Sequence, residues 1–298
     1  HRDLHSFPTR RSSDLSSFTR FMTSGESLKA MPACAVLLGN PHAAGRRFVV
    51  LVLDAAGTPV KLIKVGVGDA AVTLIRREAA FLKSQPIHRL HAPALRQEYS
   101  DGGREAMALE YVPGTTPGDK DFAALAPLLE SWIQPDPPCR FLELPAAQRL
   151  QAAAAAHPAC AKILSCLTEV RLRPAVFHGD FTPWNVRVHP ATRQWTVLDW
   201  ERGESLGPPT WDWFHFVIQQ EILVRHTRPA AVLRQLNALL HGSDFGRYSR
   251  HAGLGESATA LLAAYLAYAC FVVRQAEGQH ELEALLDLQL SEMRHCLR

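Results

Sequence analysis

At Pro113 the periodicity of the sequence changes, and with it the kind of structure the chain can build. Before that point apolar residues come in short runs or alternate with a period of two, the mark of strands; after it the pattern is mostly helical. Across residues 35–53 the runs "AVLL" and "RFVVLVL" flank "GNPHAAG", which predicts two strands joined by a loop with glycine at each end. A turn at 55–58 follows. The stretch "PVKLIKV" then alternates, with Val60, Leu62 and Lys64 on one face and Lys61, Ile63 and Val65 on the other, so one lysine points where apolar residues point. The spacing predicts a helix over 69–84, capped by Asp69, with Val72, Ile75, Ala79 and Leu82 on one stripe and Glu78 at its margin. A strand predicted over 105–112 runs into "PGTTPGD", where proline and glycine stop the strand pattern. The boundary placed there separates a sheet-rich region, 30–113, from a helical one, 114–298. The latter includes an Ala-rich stretch near 146–156 and a C-terminal amphipathic helix carrying Leu282, Leu285, Leu286, Leu290 and Met293.

Composition narrows the class of protein. With 298 residues, 47% of them hydrophobic and 20% charged, the chain can bury one large core or two modest ones. A net charge of +3 with mixed signs throughout gives little electrostatic reason to expect nucleic acid or a membrane as partner. The six cysteines form no Cys-x-x-Cys pair and no zinc-type spacing, which predicts free thiols and a cytoplasmic protein. The longest apolar run, at 258–273, falls short of the roughly 20 residues a membrane span requires and reads as a buried core helix. Residues 5–15, "HSFPTRRSSDL", look like the translation of a sequencing-library adapter, so 1–15 are set aside as artefact and expected to be disordered. The "HRDL" at 1–4 copies the opening of a protein-kinase catalytic loop, but Pro8 stands where that motif needs Asn, so the match is a decoy.

The chemistry concentrates further on. "HGDFTPWNV" sets His178, Asp180 and Asn185 within nine residues, and "VRV", a turn at "HPATRQ" and "WTVLDW" then read as a short antiparallel hairpin. If Val186 opposes Leu198 and Val188 opposes Thr196, Asn185 opposes Asp199, and two oxygen-bearing side chains meet at the mouth of the hairpin. A hard cation such as Mg²⁺ takes one or two such ligands and completes its shell with water and phosphate oxygens. Asp180, at the turn entering the hairpin, is placed to accept a proton from a substrate hydroxyl.

"HGDFTPWN" followed by "VLDWE" resembles the catalytic and metal-binding segments of the aminoglycoside phosphotransferase and choline kinase family, small-molecule relatives of the protein kinases. Lys64 in "KLIK" and Glu78 in "RREAAFL" match that family's phosphate-binding lysine and its helix partner, and "LEYVPG" at 109–114 matches the hinge, so the resemblance covers about 35–216. It implies a bilobal, protein-kinase-like α+β fold: a small N-terminal lobe of antiparallel sheet with one helix, a larger mainly helical C-terminal lobe, and ATP between them. Carried onto this sequence, it implies that Lys64, oriented by Glu78, holds the nucleotide's α- and β-phosphates. Asn185 and Asp199 ligate Mg²⁺, and Asp180 aligns and deprotonates the attacking hydroxyl. It also implies that His178 and Asp212, the latter in "GPPTWDWFHF", hold the catalytic loop, and that the backbone of Glu110, Tyr111 and Val112 meets the adenine. Gly39 and Gly45 bound the loop expected to cover the phosphates, although it lacks the Gly-x-Gly-x-x-Gly pattern.

The expected activity is therefore Mg²⁺- and ATP-dependent phosphoryl transfer to a hydroxyl of a small molecule of aminoglycoside, choline or sugar type. Two rivals are a silent nucleotide-binding scaffold and a protein-modifying kinase. The scaffold predicts the loss of at least one of Lys64, Asp180, Asn185 or Asp199, and all four are present. The protein kinase predicts an activation segment, and the few residues between Asp199 and "GPP" at 207–209 leave no room for one. A lone lysine on a strand or glutamate on a helix is usually a solvated charge; here their order and spacing carry the weight. The five tryptophans of 184–213 are read as buried packing rather than a sugar-stacking platform, Trp184 and Trp200 foremost. The acidic residues near the C-terminus are read as the solvated face of the last helix.

Overall fold

A computed structural model describes residues 12–24, 32–39, 45–274 and 278–293. They form two units, one of residues up to Ile87 together with Ala92–Val112, the other of His88–His91 and the chain from Pro113 on.

The first unit contains α1 (Ser12–Thr23), β1 (Cys34–Leu38), β2 (Arg46–Leu53), β3 (Pro59–Val67), α2 (Asp69–Ser84), β4 (Leu95–Asp101) and β5 (Arg104–Glu110); the short helix α3 (Ile87–Leu90) precedes β4. The strands make one sheet in the order β1-β2-β3-β5-β4, every neighbouring pair antiparallel. Alternation in β3 divides its residues between two environments. Ile63 and Val65 join Val50, Val52, Ala106 and Ala108 in a core closed by Phe21 and Met22 of α1. Lys61 lies on that same buried side, and its amine donates to the carbonyl of Ser24, just past the end of α1, at 2.6 Å. A cation at a helix C-terminus meets carbonyls that have no partner within the helix.

Four features of this unit depart from the sequence expectation. Among its described residues it carries a further helix beside α2, because α1 buries Phe21 and Met22 against the sheet and sets the rings of Phe18, edge-on, and Phe21, tilted, against Tyr99 with centres 5.3 Å apart. That helix begins at Ser12, so residues 12–15, expected to be disordered, are helical, while 1–11 lie outside the described residues. Asp69 is the first residue of α2 rather than its cap, which is Gly68. The last strand stops at Glu110, two residues short of the expected end.

The second unit contains α4 (Leu125–Ser131), β6 (Cys139–Arg140), α5 (Pro145–Ala153), α6 (Pro158–Ser165), β7 (Arg171–Leu172), β8 (Ala175–Phe177), β9 (Val186–Val188), β10 (Trp195–Val197) and β11 (Glu204–Gly207). The helices α7 (Trp211–Gln219), α8 (Pro229–Leu240), α9 (Ser243–Ala252), α10 (Ala258–Tyr268) and α11 (Gln279–Glu292) complete it. Its strands pair only two by two, β6 with β7, β8 with β11 and β9 with β10. The apolar run at 258–273, expected to be one core helix, is α10 as far as Tyr268, with every residue from Ala260 to Tyr268 buried, and then a π-helical turn, Ala269–Val273, of which Ala269 and Cys270 are buried. On α11, Leu282, Leu285 and Leu286 face inward, with Met293 buried just beyond it. Among the described residues no helix is long and apolar enough to cross a membrane, and the five described cysteines are free thiols.

Candidate active site

In the first unit, Lys64 and Glu78 form one ion pair. Lys64 lies in the middle of the central strand, flanked by Val49 on one side and Met107 on the other. Its amine donates to both carboxylate oxygens of Glu78 at 2.7 Å. Glu78 sits well inside the apolar stripe of α2, only 1% exposed, so its charge depends on that lysine. Gly45, at φ +80°, touches the start of α2: a Cβ there would lie 2.8 Å from that of Ala71. Gly39 donates its backbone N–H to the carbonyl of Arg47, and residues 40–44 between the two glycines lie outside the described residues. Glu110 uses its N–H on the carbonyl of Ala94 and pairs its side chain with Arg96 at 3.2 Å; Tyr111 and Val112 follow in irregular backbone.

In the second unit, β8 delivers a loop that side chains hold from several sides. The N–H groups of His178 and Gly179 both donate to the carboxylate of Asp212, at 2.7 and 3.1 Å. Gly179 has φ +78°, and a Cβ there would come within 3.1 Å of the Arg202 carbonyl oxygen, so a side chain has no comfortable place. His178 is fully buried beside Trp200, ring centres 4.6 Å apart. Its Nδ1 accepts from the N–H of Asp180 at 3.2 Å, which leaves Nε2 to carry the hydrogen and donate to the carbonyl of Leu198 at 2.8 Å. One neutral ring therefore ties the loop to the residue preceding Asp199. Asn185 closes the same loop, its side-chain amide donating to the carbonyl of Asp180 at 3.0 Å.

Burial sets the electrostatics here. It pushes His178 down to about 4, against the pull of its bond to Leu198 and of the charges on Asp180 and Asp199. It pushes Asp212 up to about 7, although two backbone donors favour the charged form. Asp180 goes the other way. Its burial, which would raise it, is outweighed by a hydrogen bond from His215 and by the electrostatic pull of His215, Arg202 and His178, so the carboxyl lies below its ordinary range.

The hairpin departs from its expected register. Val186 pairs with Val197, Arg187 with Thr196 and Val188 with Trp195, and the N–H of Leu198 donates to the carbonyl of Asn185 at 2.7 Å. Asn185 is thus opposite Leu198, one residue short of Asp199. Asp199 is left-handed, φ 66°, and leads directly into a 3₁₀ turn, Trp200–Arg202. A residue at positive φ breaks strand alternation, so parity counted along the hairpin does not reach it. Trp184 also departs from expectation: Trp195, Trp200, Trp211 and Trp213 are buried, but Trp184 is 40% exposed, in the short 3₁₀ turn between Asp180 and Asn185.

His215 was not singled out in the sequence, yet its Nε2 lies 3.2 Å from Oδ1 of Asp180 and its Nδ1 lies 2.7 Å from the hydroxyl of Tyr265. The signal was its place three residues after Asp212 on one helix, the spacing that puts two side chains on one face.

Residues 39–254 match the model of the phosphotransferase enzyme family, APH, and the chain belongs to that family. Solved structures agree on the fold, a kinase-like phosphotransferase fold. A Ralstonia eutropha JMP134 protein assigned as an aminoglycoside phosphotransferase superposes with a TM-score of 0.56 at 13% identity, covering 94% of this chain and 96% of that one. A thermostable mutant of aminoglycoside phosphotransferase APH(4)-Ia, solved with ADP and hygromycin B, gives 0.55 at 13% identity over 92% and 98%. A Haemophilus somnus 129PT protein assigned as a fructosamine-3-kinase gives 0.55 at 10% identity over 93% and 97%. No curated protein matches the sequence.

Proposed function

We propose that this phosphotransferase moves the γ-phosphoryl group of ATP, with Mg²⁺, to a hydroxyl of a small molecule. The observation that carries this reading is the seating of Asp180: a carboxylate held at Oδ1 by His215, on a loop fixed from beneath by Asp212 and His178. A general base must be unprotonated and positioned before the substrate arrives.

The donor set suits a hard cation. Asn185 gives its N–H to the loop carbonyl, which leaves its amide oxygen for a ligand, and Asp199 adds a carboxylate. Mg²⁺ held by these two would neutralise charge on the phosphate oxygens. Lys64, clamped by Glu78, holds the α- and β-phosphates as a fixed point charge. At the adenine, Glu110 can offer only its carbonyl, since its N–H is engaged by Ala94, whereas Tyr111 and Val112 lie beyond the strand pairing. Asp180 takes the proton of the acceptor hydroxyl as that oxygen bonds to the γ-phosphorus, and the bond from phosphorus to the bridging oxygen breaks to release ADP. Aligning the hydroxyl accounts for much of the acceleration.

The nucleotide reading draws support from the neighbour solved with ADP, and the small-molecule reading from the hygromycin B in the same structure. The test is Mg²⁺-dependent phosphoryl transfer from ATP across a panel of small alcohols, sugars and aminoglycosides. Asp180→Ala is expected to lower turnover by about 10²–10⁴-fold, the usual worth of a general base. Equal turnover by the variant and the wild type would remove Asp180 from the chemistry.

A further inference from the structure

His215 lies on α7 and is 5% exposed, and Tyr265 lies on α10 and is 3% exposed. The ring joins two partners of different character: at Nε2 the carboxylate of Asp180, 3.2 Å away, and at Nδ1 the Tyr265 hydroxyl, 2.7 Å away. A carboxylate only accepts, so Nε2 carries a hydrogen. A neutral ring then has a bare Nδ1, which accepts from the Tyr265 hydroxyl. That hydroxyl has every reason to keep its proton, since burial raises it well above the ordinary range. The bonds therefore run one way, from Tyr265 through His215 to Oδ1 of Asp180. A histidine whose only purpose was to fill space between α7 and α10 has no need of the loop carboxylate; this one bridges from the helical core to the side chain of Asp180.

We propose that His215, seated by Tyr265, is a positioning residue for phosphoryl transfer: it occupies Oδ1 of Asp180 and so leaves Oδ2 as the oxygen that meets the acceptor. The proposal rests on Asp180 being the base. A carboxylate on a loop turns about χ2 in a broad, shallow well, and one donor on one oxygen fixes that rotation. The geometry also sets which replacements work. Glutamine offers an N–H at a reach comparable to Nε2, whereas phenylalanine fills the volume and offers no donor.

The test uses the full chain with Mg²⁺ and ATP, water serving as acceptor and released phosphate as the readout. His215→Phe is expected to lower kcat by about 10- to 100-fold, the scale on which misplacement of a reacting group acts, while KM for ATP stays within about twofold. His215→Gln restores most of the loss, and Tyr265→Phe lowers kcat only a few-fold. Melting temperature is followed in parallel; a loss of kcat that tracks melting across the variants, glutamine included, makes the residue a packing element and overturns the proposal. So does a His215→Phe variant as fast as wild type when Asp180→Ala is slow. Wild type no faster than Asp180→Ala is a different result: it removes the base assignment, and the role of His215 with it. Independently of turnover, ¹⁵N spectra at pH 8 are expected to show the His215 ring protonated at Nε2, and protonation at Nδ1 would overturn the arrangement.

Discussion

Lys64 and the 178–185 loop are both held in place, but by different means. Lys64 is held chiefly by regular structure. Its backbone is fixed on both sides by the ladders of β2 and β5, and Glu78 is fixed by the turns of α2, so the ion pair joins two groups already in place. The loop has no ladder of its own. It is held by polar side chains bonding to backbone, one from outside and two of its own: Asp212 under two N–H groups, His178 between Asp180 and Leu198, Asn185 on the Asp180 carbonyl. Where regular structure positions a functional group, the backbone ladder does most of the holding; where irregular backbone does, polar side chains must supply the missing bonds.

The contrast is sharpest at Asp212. Asp212→Ala leaves the buried N–H of His178 and the part-buried N–H of Gly179 without acceptors; at about 1–3 kcal/mol for the buried group and less for the other, a loss of roughly 2–4 kcal/mol in unfolding free energy is expected, with turnover falling alongside. Denaturant titration measures it, and Asp212→Asn, which keeps one acceptor, should recover about half. If the alanine variant unfolds at the wild-type midpoint, the loop is held by something other than this carboxylate.

How far each region could be read from sequence follows the same division. The β3 alternation and the α2 stripe placed Lys64 and Glu78 because regular elements repeat with a fixed period. In contrast, β4 escaped notice: "LRQEYSD" alternates half-buried and exposed positions with charges along its length and offers no apolar signal. The hairpin register slipped by one because the turn sets it: Arg193 is left-handed, φ 57°, and His189 donates its N–H to the carbonyl of Gln194, yet nothing in the letters marks Arg193, glycine being the usual sign. Trp184 escapes the general habit of large aromatics to pack inside, a habit the other tryptophans of the segment follow. His215 was hidden by its surroundings. In "WDWFHFVIQ" both polar and apolar residues are buried, including Asp212 and His215, so burial does not set His215 apart and only its spacing from Asp212 does.

Glu78→Gln is the matching experiment on the ladder-held side, with a smaller expected effect. The substitution keeps the shape and removes the charge facing Lys64. A hydrogen bond to a charged group is worth about 1.5–3 kcal/mol, and Lys64 recovers part of that because its side chain is 16% exposed and can turn to water. A roughly 10-fold rise in KM for ATP is expected, read from initial rates, with a smaller shift in melting than Asp212→Ala produces. Should melting fall further than nucleotide affinity, the ion pair is a structural element of the sheet-rich unit, and the distinction drawn between the two regions fails on this side.

The subtlest expectation concerns pH, because the two buried groups under the loop pull stability in opposite directions. Asp212, raised from 3.8 to about 7 on folding, binds a proton more tightly in the native state than in the unfolded one. Its contribution is complete below about pH 4 and is lost as pH rises toward 7. His178, lowered from 6.5 to about 4, behaves inversely: its contribution is complete above about pH 6.5 and is lost as pH falls toward 4. Each slope is at most about 1.4 kcal/mol per pH unit, and between about 4 and 6.5 they largely cancel in the wild type. Removing one group exposes the other. The unfolding free energy of Asp212→Asn, measured against wild type by denaturant titration at steps from pH 4 to pH 7, should close on the wild-type value as pH rises, because only the wild type loses the Asp212 contribution over that range. A gap that widens with pH would mean the two backbone donors outweigh burial and keep Asp212 ionised, making the support beneath Asp180 a fixed negative charge instead of a titrating one.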